Sequence, residues 1–304
     1  MTGNSVAVSA MPVPERVVTA APPAARSARM TIAVLGATGM VGSRVIAESV
    51  ARGHRVLALS RKPGGGDPNV TPVAVDVGDP EAVHEALAGT TAPGTAAAGV
   101  TATGTTATGT AAAGVTATGT TAPGTAAAGV TATGTTATAA PATGTTPPRP
   151  ADAVILSVRT FPADREFLVG ATRTVLDAAA RLGVRVLVIG GAGALRSPGD
   201  PDLLVADNRA YVPDEYRAVA LAGTAQLRTC EAHADADWVY LSPPAELEPG
   251  ERTGRYRRGT DTLLTASDDG RSWISAEDLA VAVVDEVENP GTERHITVVH
   301  RPST

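Results

Sequence analysis

Residues 31–62, TIAVLGATGMVGSRVIAESVARGHRVLALSRK, decide the fold of this chain. An apolar run at 32–35 leads into glycines at positions 36, 39 and 42, an amphipathic segment, and a second apolar run at 56–59. Glycines at this spacing allow a tight turn, a close approach of the backbone to a pyrophosphate, and close packing of helix on strand. The stretch therefore predicts a βαβ unit that binds a dinucleotide, with the pyrophosphate at the N-terminus of the helix starting near Met40.

The spacing of three glycines is weak evidence alone, because tight turns of unrelated α/β proteins also contain it. Here a strand precedes the turn, a helix follows it, and a second strand comes at the distance that the unit requires. The flanking pattern thus favours the nucleotide site over the simple turn.

Composition excludes several classes of function. The 304 residues carry a formal net charge of −6, which argues against a nucleic-acid interface. No run reaches the ~18 apolar residues of a membrane span. The single cysteine, Cys230, excludes a disulfide framework, and no His/Cys/Asp/Glu spacing is typical of a metal site. We expect a cytoplasmic monomer or homodimer that binds small molecules, without a metal and without nucleic-acid or membrane partners.

Two segments differ in composition from the rest of the chain. Residues 1–29 are rich in Ala, Val and Pro, which predicts a disordered N-terminal extension, with Met30 as an alternative start to Met1. Residues 90–150 consist almost entirely of Gly, Ala, Thr, Val and Pro and repeat with a period of 15. Because stacked units without large side chains would bury little apolar area, we expect a disordered low-complexity insertion. A weakly ordered β-rich or polyproline-like appendage is the alternative.

The remaining residues, 30–89 and 151–304, are predicted to form a single NAD(P)-binding domain. Apolar strands alternate there with amphipathic helices, which predicts an α/β fold: a Rossmann-like, doubly wound parallel sheet. The predicted strands are 31–35, 55–59, 70–75, 154–158, 184–189, 238–241 and 295–299, and the predicted helices 40–52, 80–87, 164–182, 215–232 and 275–287. Residues 203–211 read as a loop, and 255–258 and 262–265 as a pair of short strands.

The ordered part of the chain resembles the atypical short-chain dehydrogenase/reductase-like proteins, specifically the NADH–flavin reductase group and its NmrA-like relatives. The resemblance rests on GATGMVG at 36–42, GGAG at 190–193, LSP at 241–243 and EPGERTG at 248–254. In such proteins a segment like ALAG (86–89) is followed at once by DAVI (152–155). The resemblance thus implies that the repeat is inserted before the fourth strand, at the sheet end away from the cofactor.

The end of the second strand indicates which nucleotide binds. An acidic residue there would accept the ribose 2′-OH of NAD, whereas this chain has Ser60, Arg61 and Lys62. Two cations and a hydroxyl suit a 2′-phosphate, so NADP(H) is favoured over NAD(H). A solvated basic turn is the other interpretation. Motif and resemblance together give these expected cofactor-binding residues: Gly36, Thr38, Gly39, Met40, Val41, Gly42, Ser60, Arg61, Lys62, Asp76, Val77, Ser157, Gly191 and Ala192.

The acceptor is indicated by what the sequence lacks. Lys62 is the only lysine, so the Tyr-x-x-x-Lys pair of conventional short-chain dehydrogenases is absent. Alcohol oxidation and sugar-nucleotide epimerisation by the usual mechanism are therefore not expected. The resemblance implies hydride transfer from NADPH to a flavin, or a similar planar acceptor, bound as a substrate. Candidate residues around the acceptor are Ser157, Arg159 and Tyr216, with Gly191, Ala192 and Pro243.

Two functions remain open from the sequence. One is the NAD(P)H-dependent reductase just described. The other is a non-catalytic NADP(H)-binding redox sensor of the NmrA-like type, because the absence of a Ser-Tyr-Lys set is compatible with both. For Arg159 a surface ion pair, and for Tyr216 packing within a helix, are the structural alternatives to a role in the site.

Overall fold

This computed structural model describes residues 28–64, 66–90, 149–266 and 270–302. The predicted extension at 1–29 and the predicted insertion at 90–150 lie outside the described residues, except for positions 28, 29, 90, 149 and 150. No helix within these ranges is long and apolar enough to cross a membrane.

The helices and strands follow the predicted alternation, with ends that differ by one or two residues at most positions. The strands are β1 (Thr31–Leu35), β2 (Arg55–Ser60), β3 (Val70–Ala74), β4 (Ala153–Leu156), β5 (Arg185–Ile189), β6 (Arg196–Ser197), β7 (Asp200–Leu204), β8 (Trp238–Ser242), β9 (Glu246–Glu248), β10 (Tyr256–Gly259), β11 (Trp273–Ser275) and β12 (His295–His300). The α-helices are α1 (Met40–Ala51), α2 (Pro80–Ala88), α3 (Arg165–Leu182), α4 (Arg217–Glu231) and α5 (Ala276–Glu288).

Eight strands form the central sheet in the order β10-β12-β8-β5-β4-β1-β2-β3. All neighbours pair in parallel except β10, which runs antiparallel to β12 at the edge. Helices α1 and α5 cover one face, and α2, α3 and α4 cover the other. With both faces covered, β1 is buried along its whole length, as parallel strands in doubly wound sheets are. The predicted fold class is confirmed.

Side-chain caps fix the starts of three helices. The Asp79 carboxylate accepts hydrogen bonds from the N–H groups of Glu81 and Ala82, a common arrangement where Asp precedes a Pro in the first turn of a helix. Asp164 and Ser275 cap α3 and α5 in the same way. Helix α1 differs, because its N-cap residue is Gly39 and no side chain caps it.

Two local predictions were wrong. Residues 255–258 do not pair with 262–265; the strand there, β10, pairs with β12. The Tyr256 ring is buried and its hydroxyl donates to Asp285 Oδ2 at 2.7 Å, which holds this segment on the main sheet. Residues 203–211 are also more ordered than a loop, since β7 pairs with β6 and a 3₁₀ helix covers Val205–Asp207.

The chain leaves and re-enters the described fold at one point, on either side of the repeat. The Ala151 N–H donates to the Leu87 carbonyl oxygen at 2.9 Å, joining the end of α2 to the residues before β4. This connection lies at the N-terminal end of β4, whereas the C-terminal ends of the strands are at the opposite edge of the sheet.

Candidate dinucleotide-binding site

A cavity of about 780 Å³ opens at the C-terminal ends of the central strands. It lies where the strand order reverses, between β1 and β4, which is where open α/β sheets bind their ligands. Its wall includes residues that follow β1, β2, β3, β4 and β5, together with one face of α4. Five strand ends therefore meet one elongated site of the volume range typical of ligand pockets.

Two glycines of the first turn permit this geometry. Gly36 has φ +85°, and a Cβ there would lie 2.1 Å from the Ser157 carbonyl oxygen. A Cβ on Gly42 would lie 2.2 Å from the Gly36 carbonyl oxygen. Neither position has room for a side chain, so these glycines let β1, β4 and α1 approach one another. Around Gly39 the nearest atom is 3.2 Å from the Cβ position, so that residue is less tightly enclosed.

The start of α1 fits a diphosphate. Gly39 N–H donates to the Gly36 carbonyl, but the N–H groups of the next residues, Met40 and Val41, have no partner within the helix. No side chain caps this end, and its first turn contains no acidic residue. Met40 and Val41 both line the cavity. Unpaired amides and the positive end of the helix dipole together favour an anion here.

The end of β2 fits the ribose end of a nucleotide. The Ser60 Oγ is buried and has no hydrogen-bond partner among the described residues, although Ser60 lines the cavity. Arg61 and Lys62 follow as exposed cations in the same wall. After β3, Asp76 accepts a hydrogen bond from Gly78 N–H at 2.9 Å, and Val77 lies beside it in the wall. The end of β2 thus presents a buried hydroxyl and two exposed cations to the cavity.

The opposite end of the cavity is bounded by α4 and the β4–α3 connection. Helix α4 contributes residues 219, 222, 223 and 226, a helical spacing that places them on one face: Val219, Ala222, Gly223 and Gln226. None of these four side chains titrates near neutral pH. From the β4–α3 connection come Arg159, which is exposed, and Asp164, whose carboxylate caps α3.

Tyr240 lies beneath this end of the cavity. Its ring is fully buried, and a Cβ on Gly190 would fall 1.9 Å from it, so the ring fills the space below the β5 turn. The hydroxyl donates to the Gly223 carbonyl oxygen at 2.8 Å. Burial raises the pKa of Tyr240 far above its usual value, so the hydroxyl keeps its proton. Tyr240 therefore supports the floor of the cavity and is unsuited to proton transfer.

The structure brings most of the predicted site residues together. Twelve of the predicted cofactor-binding residues line the cavity, and Gly42 and Ala192 do not. Ser157 and Arg159, predicted near the acceptor, also line it. Tyr216 and Pro243 do not: Tyr216 ends a 3₁₀ helix one turn before Val219, and its side chain is 57% exposed.

Two parts of the cavity wall were not predicted from the sequence. One is the α4 face, which the helical spacing of residues 219–226 could have revealed. The other is a set of apolar residues, Ala163, Phe167 and Leu168 around the start of α3 and Leu247 of β9, which share no motif. Tyr240 was also missed, because nothing in the sequence shows that its ring occupies the space beside Gly190.

The EPGERTG segment at 248–254 ties α1 to α5. Arg252 donates to both carboxylate oxygens of Glu48 on α1, at 2.7 and 2.8 Å. Asp278 on α5 accepts from the Thr253 hydroxyl and the Gly254 N–H, at 2.6 and 2.7 Å. Burial alone would raise the pKa of Glu48, but hydrogen bonds from Arg252 and Arg52 outweigh it, and the pKa lies below its ordinary value. The segment therefore fixes the helix whose N-terminus faces the cavity.

Known structures share this architecture. One is a protein from Burkholderia pseudomallei that is provisionally named an exported protein. It has a TM-score of 0.63 at 32% identity, and the match covers 89% of this chain and 100% of that protein's chain. A provisionally named epimerase from Bacteroides thetaiotaomicron has a TM-score of 0.64 at 25% identity, covering 91% and 99%. A Streptococcus pneumoniae protein provisionally named an NADH–flavin reductase has a TM-score of 0.60 at 21% identity, covering 89% and 99%, and shows the shared fold alone.

A protein-family model gives the assignment that these neighbours leave open. It describes NAD(P)H-binding proteins and matches residues 36–290, which include the glycine turn, the cavity wall and α5. The cavity, the uncapped start of α1 and the match agree, and this chain belongs to the NAD(P)H-binding family.

Proposed function

We propose that this NAD(P)H-binding protein is an NADPH-dependent reductase that delivers hydride to a flavin or similar planar acceptor, without a Ser-Tyr-Lys triad. One observation carries the proposal: the α4 face of the cavity presents Val219, Ala222, Gly223 and Gln226, where no side chain can supply a proton. Carbonyl reduction and sugar epimerisation depend on such an acid or base. A conjugated ring system delocalises the negative charge that it gains with the hydride, so its reduction depends less on an acid in the protein.

The residues at the other end of the cavity would hold the nucleotide. The amides of Met40 and Val41 are suited to the diphosphate, and Ser60, Arg61 and Lys62 to a 2′-phosphate. This set supports NADP(H) over NAD(H), since residues 60–62 at the end of β2 include no carboxylate that could accept a hydrogen bond from a free 2′-hydroxyl. When bound, NADPH supplies the hydride, and the protein's part is to position both reactants.

The acceptor end is suited to a flat, largely apolar molecule. Phe167, Leu168 and Val219 give this part of the cavity wall apolar side chains, against which a flat ring system can pack. Arg159, exposed at the rim, can pair with a phosphate or ring carbonyl of the acceptor. Asp164 is a poor candidate for an acid, because its carboxylate caps α3 by accepting a hydrogen bond from the Phe167 N–H at 2.9 Å.

The test is anaerobic oxidation of NADPH, followed by its near-ultraviolet absorbance, with FMN, riboflavin and a quinone as acceptors. We expect turnover with at least one planar acceptor and none with simple ketones or sugar nucleotides. Reduction of a ketone at a comparable rate would contradict the proposal, because it would require a proton donor in the site.

The alternative is a non-catalytic NADP(H)-binding redox sensor. The same α4 face supports it, since a sensor needs no proton donor either. Tight binding of NADP(H) with no turnover on any acceptor would favour the sensor.

A further inference from the structure

Gln226 is the polar side chain on the cavity-lining face of α4. It is only 3% exposed, yet it lines the cavity one turn beyond Gly223. Its neighbours in the wall, Ala222 and Leu168, are apolar. A buried polar group in such surroundings normally has its hydrogen bonds satisfied by the protein, and each exception calls for an explanation.

The hydrogen bonds around Gln226 fix which way its amide points. The Thr172 hydroxyl donates its one proton to the Leu168 carbonyl oxygen at 2.7 Å. Thr172 can therefore only accept from Gln226, whose Nε2 lies 3.1 Å from the hydroxyl oxygen. The NH₂ group must face Thr172, and Oε1 must face the other way.

Within the described residues, the hydrogen bond recorded for Oε1 is a weak one. Its donor is the Tyr240 hydroxyl, whose oxygen lies 3.4 Å away, beyond the usual range for O–H···O bonds. That hydroxyl also has a better acceptor, the Gly223 carbonyl oxygen at 2.8 Å. The amide oxygen of this buried side chain is thus held in a fixed orientation with only a long hydrogen bond from Tyr240, so most of its acceptor capacity stays available.

We propose that Gln226 is a ligand-binding residue whose Oε1 accepts a hydrogen bond from a neutral N–H donor at the inner end of the cavity. Two sources carry this chemistry: the primary carboxamide of the nicotinamide, and the imide N–H of a flavin-like acceptor. The second source rests on the proposed reductase function. A cationic donor is disfavoured, because the other side chains of the cavity-lining α4 face, those of Val219 and Ala222, are apolar and carry no charge to pair with it.

The test compares Gln226→Met, which keeps the shape but removes the amide, with the matched control Thr229→Val. Thr229 is on the same helix and away from the cavity, and its hydroxyl donates only to the Ala225 carbonyl. Equilibrium titrations use NADP⁺ and 2′-phospho-ADP-ribose, which lacks nicotinamide. If the donor is the carboxamide, Gln226→Met raises Kd for NADP⁺ about 3- to 10-fold and leaves Kd of the fragment unchanged.

If the donor is the acceptor's imide, Kd for NADP⁺ stays constant and KM for riboflavin rises about 3- to 10-fold. N3-methylated riboflavin, which lacks that N–H, would then react equally with both proteins. Thr229→Val changes none of these values. If Gln226→Met does not fold, Gln226→Asn, which withdraws the amide by one methylene, is judged by the same criteria.

Values within twofold of wild type for both NADP⁺ and riboflavin would overturn the assignment of Gln226. Absence of flavin turnover in the wild type would contradict the reductase proposal alone. The assignment of Gln226 would still be tested, because the titrations with NADP⁺ and its fragment need no acceptor.

Discussion

Replacing Arg61 by alanine tests the nucleotide preference most directly. Arg61 and Lys62 are exposed beside the cavity, and neither forms an ion pair with any residue in the described ranges. Because both side chains are in water, a unit charge pair at contact distance is worth ~1 kcal/mol rather than the larger value of an interior site. A 2′-phosphate carries nearly two charges. Losing Arg61 should therefore cost about 1.5–2 kcal/mol of NADPH binding, or about 10- to 30-fold in Kd.

The assay is a fluorescence or calorimetric titration with NADPH and, in parallel, with NADH. NADH lacks the 2′-phosphate, so Arg61→Ala should change its Kd by less than about twofold. The increase in Kd for NADPH should become smaller as the salt concentration is raised. Arg173→Ala is the matched control, because Arg173 is an exposed arginine of α3 outside the cavity wall. Equal weakening of NADPH and NADH by Arg61→Ala, or an equal effect of the control, would refute this reasoning.

Three further outcomes follow from the packing. Gly42→Ala places a Cβ 2.2 Å from the Gly36 carbonyl oxygen and should abolish nucleotide binding or lower Tm. Its control is Gly170→Ala, which lies in open space on α3 and should raise stability by up to ~1 kcal/mol. Equal effects of the two variants in thermal melts would contradict the close approach of Gly42 to Gly36. Deleting residues 91–148 should leave Kd for NADPH unchanged, and a folded deletion protein that no longer binds would show that the insertion contributes to the site. Burial lowers the pKa of His295 to about 4 from its ordinary 6.5. As the pH falls between these two values, His295 is protonated in the unfolded chain but not in the folded one. Stability should therefore fall by up to ~3 kcal/mol as pH drops from about 6.5 to 4, and His295→Gln should flatten this dependence in urea titrations; an unchanged slope would rule His295 out as its source.

The sequence predicted those parts of the fold that depend on local signals. The βαβ unit follows from the glycine turn and two apolar runs, and the structure places its strands and helix within one residue of the predicted bounds. The caps at Asp79 and Ser275 were equally readable, since each is a polar residue directly before an apolar helical period.

Pairing partners and shared space were not predictable in the same way. The pairing of β10 depends on Tyr256 reaching Asp285, a residue 29 positions away on another element. The α4 end of the cavity depends on two packing details: the Tyr240 ring fills the space that a Cβ on Gly190 would occupy, and one face of α4 lines the cavity. Such facts arise from tertiary packing, which periodicity and composition do not encode.

The hydrogen bond between Ala151 and Leu87 also bears on how this gene can change over evolution. This bond joins the residues just before the insertion to those just after it, so the same bond closes the connection whatever the length of the insertion. For a flexible chain each doubling of such a segment adds only ~0.6 kcal/mol of closure entropy. The predicted disorder of residues 90–150 therefore implies that repeat copies can be gained or lost with little effect on the folded domain. We expect related sequences to differ in repeat number at this junction before they differ in the sheet.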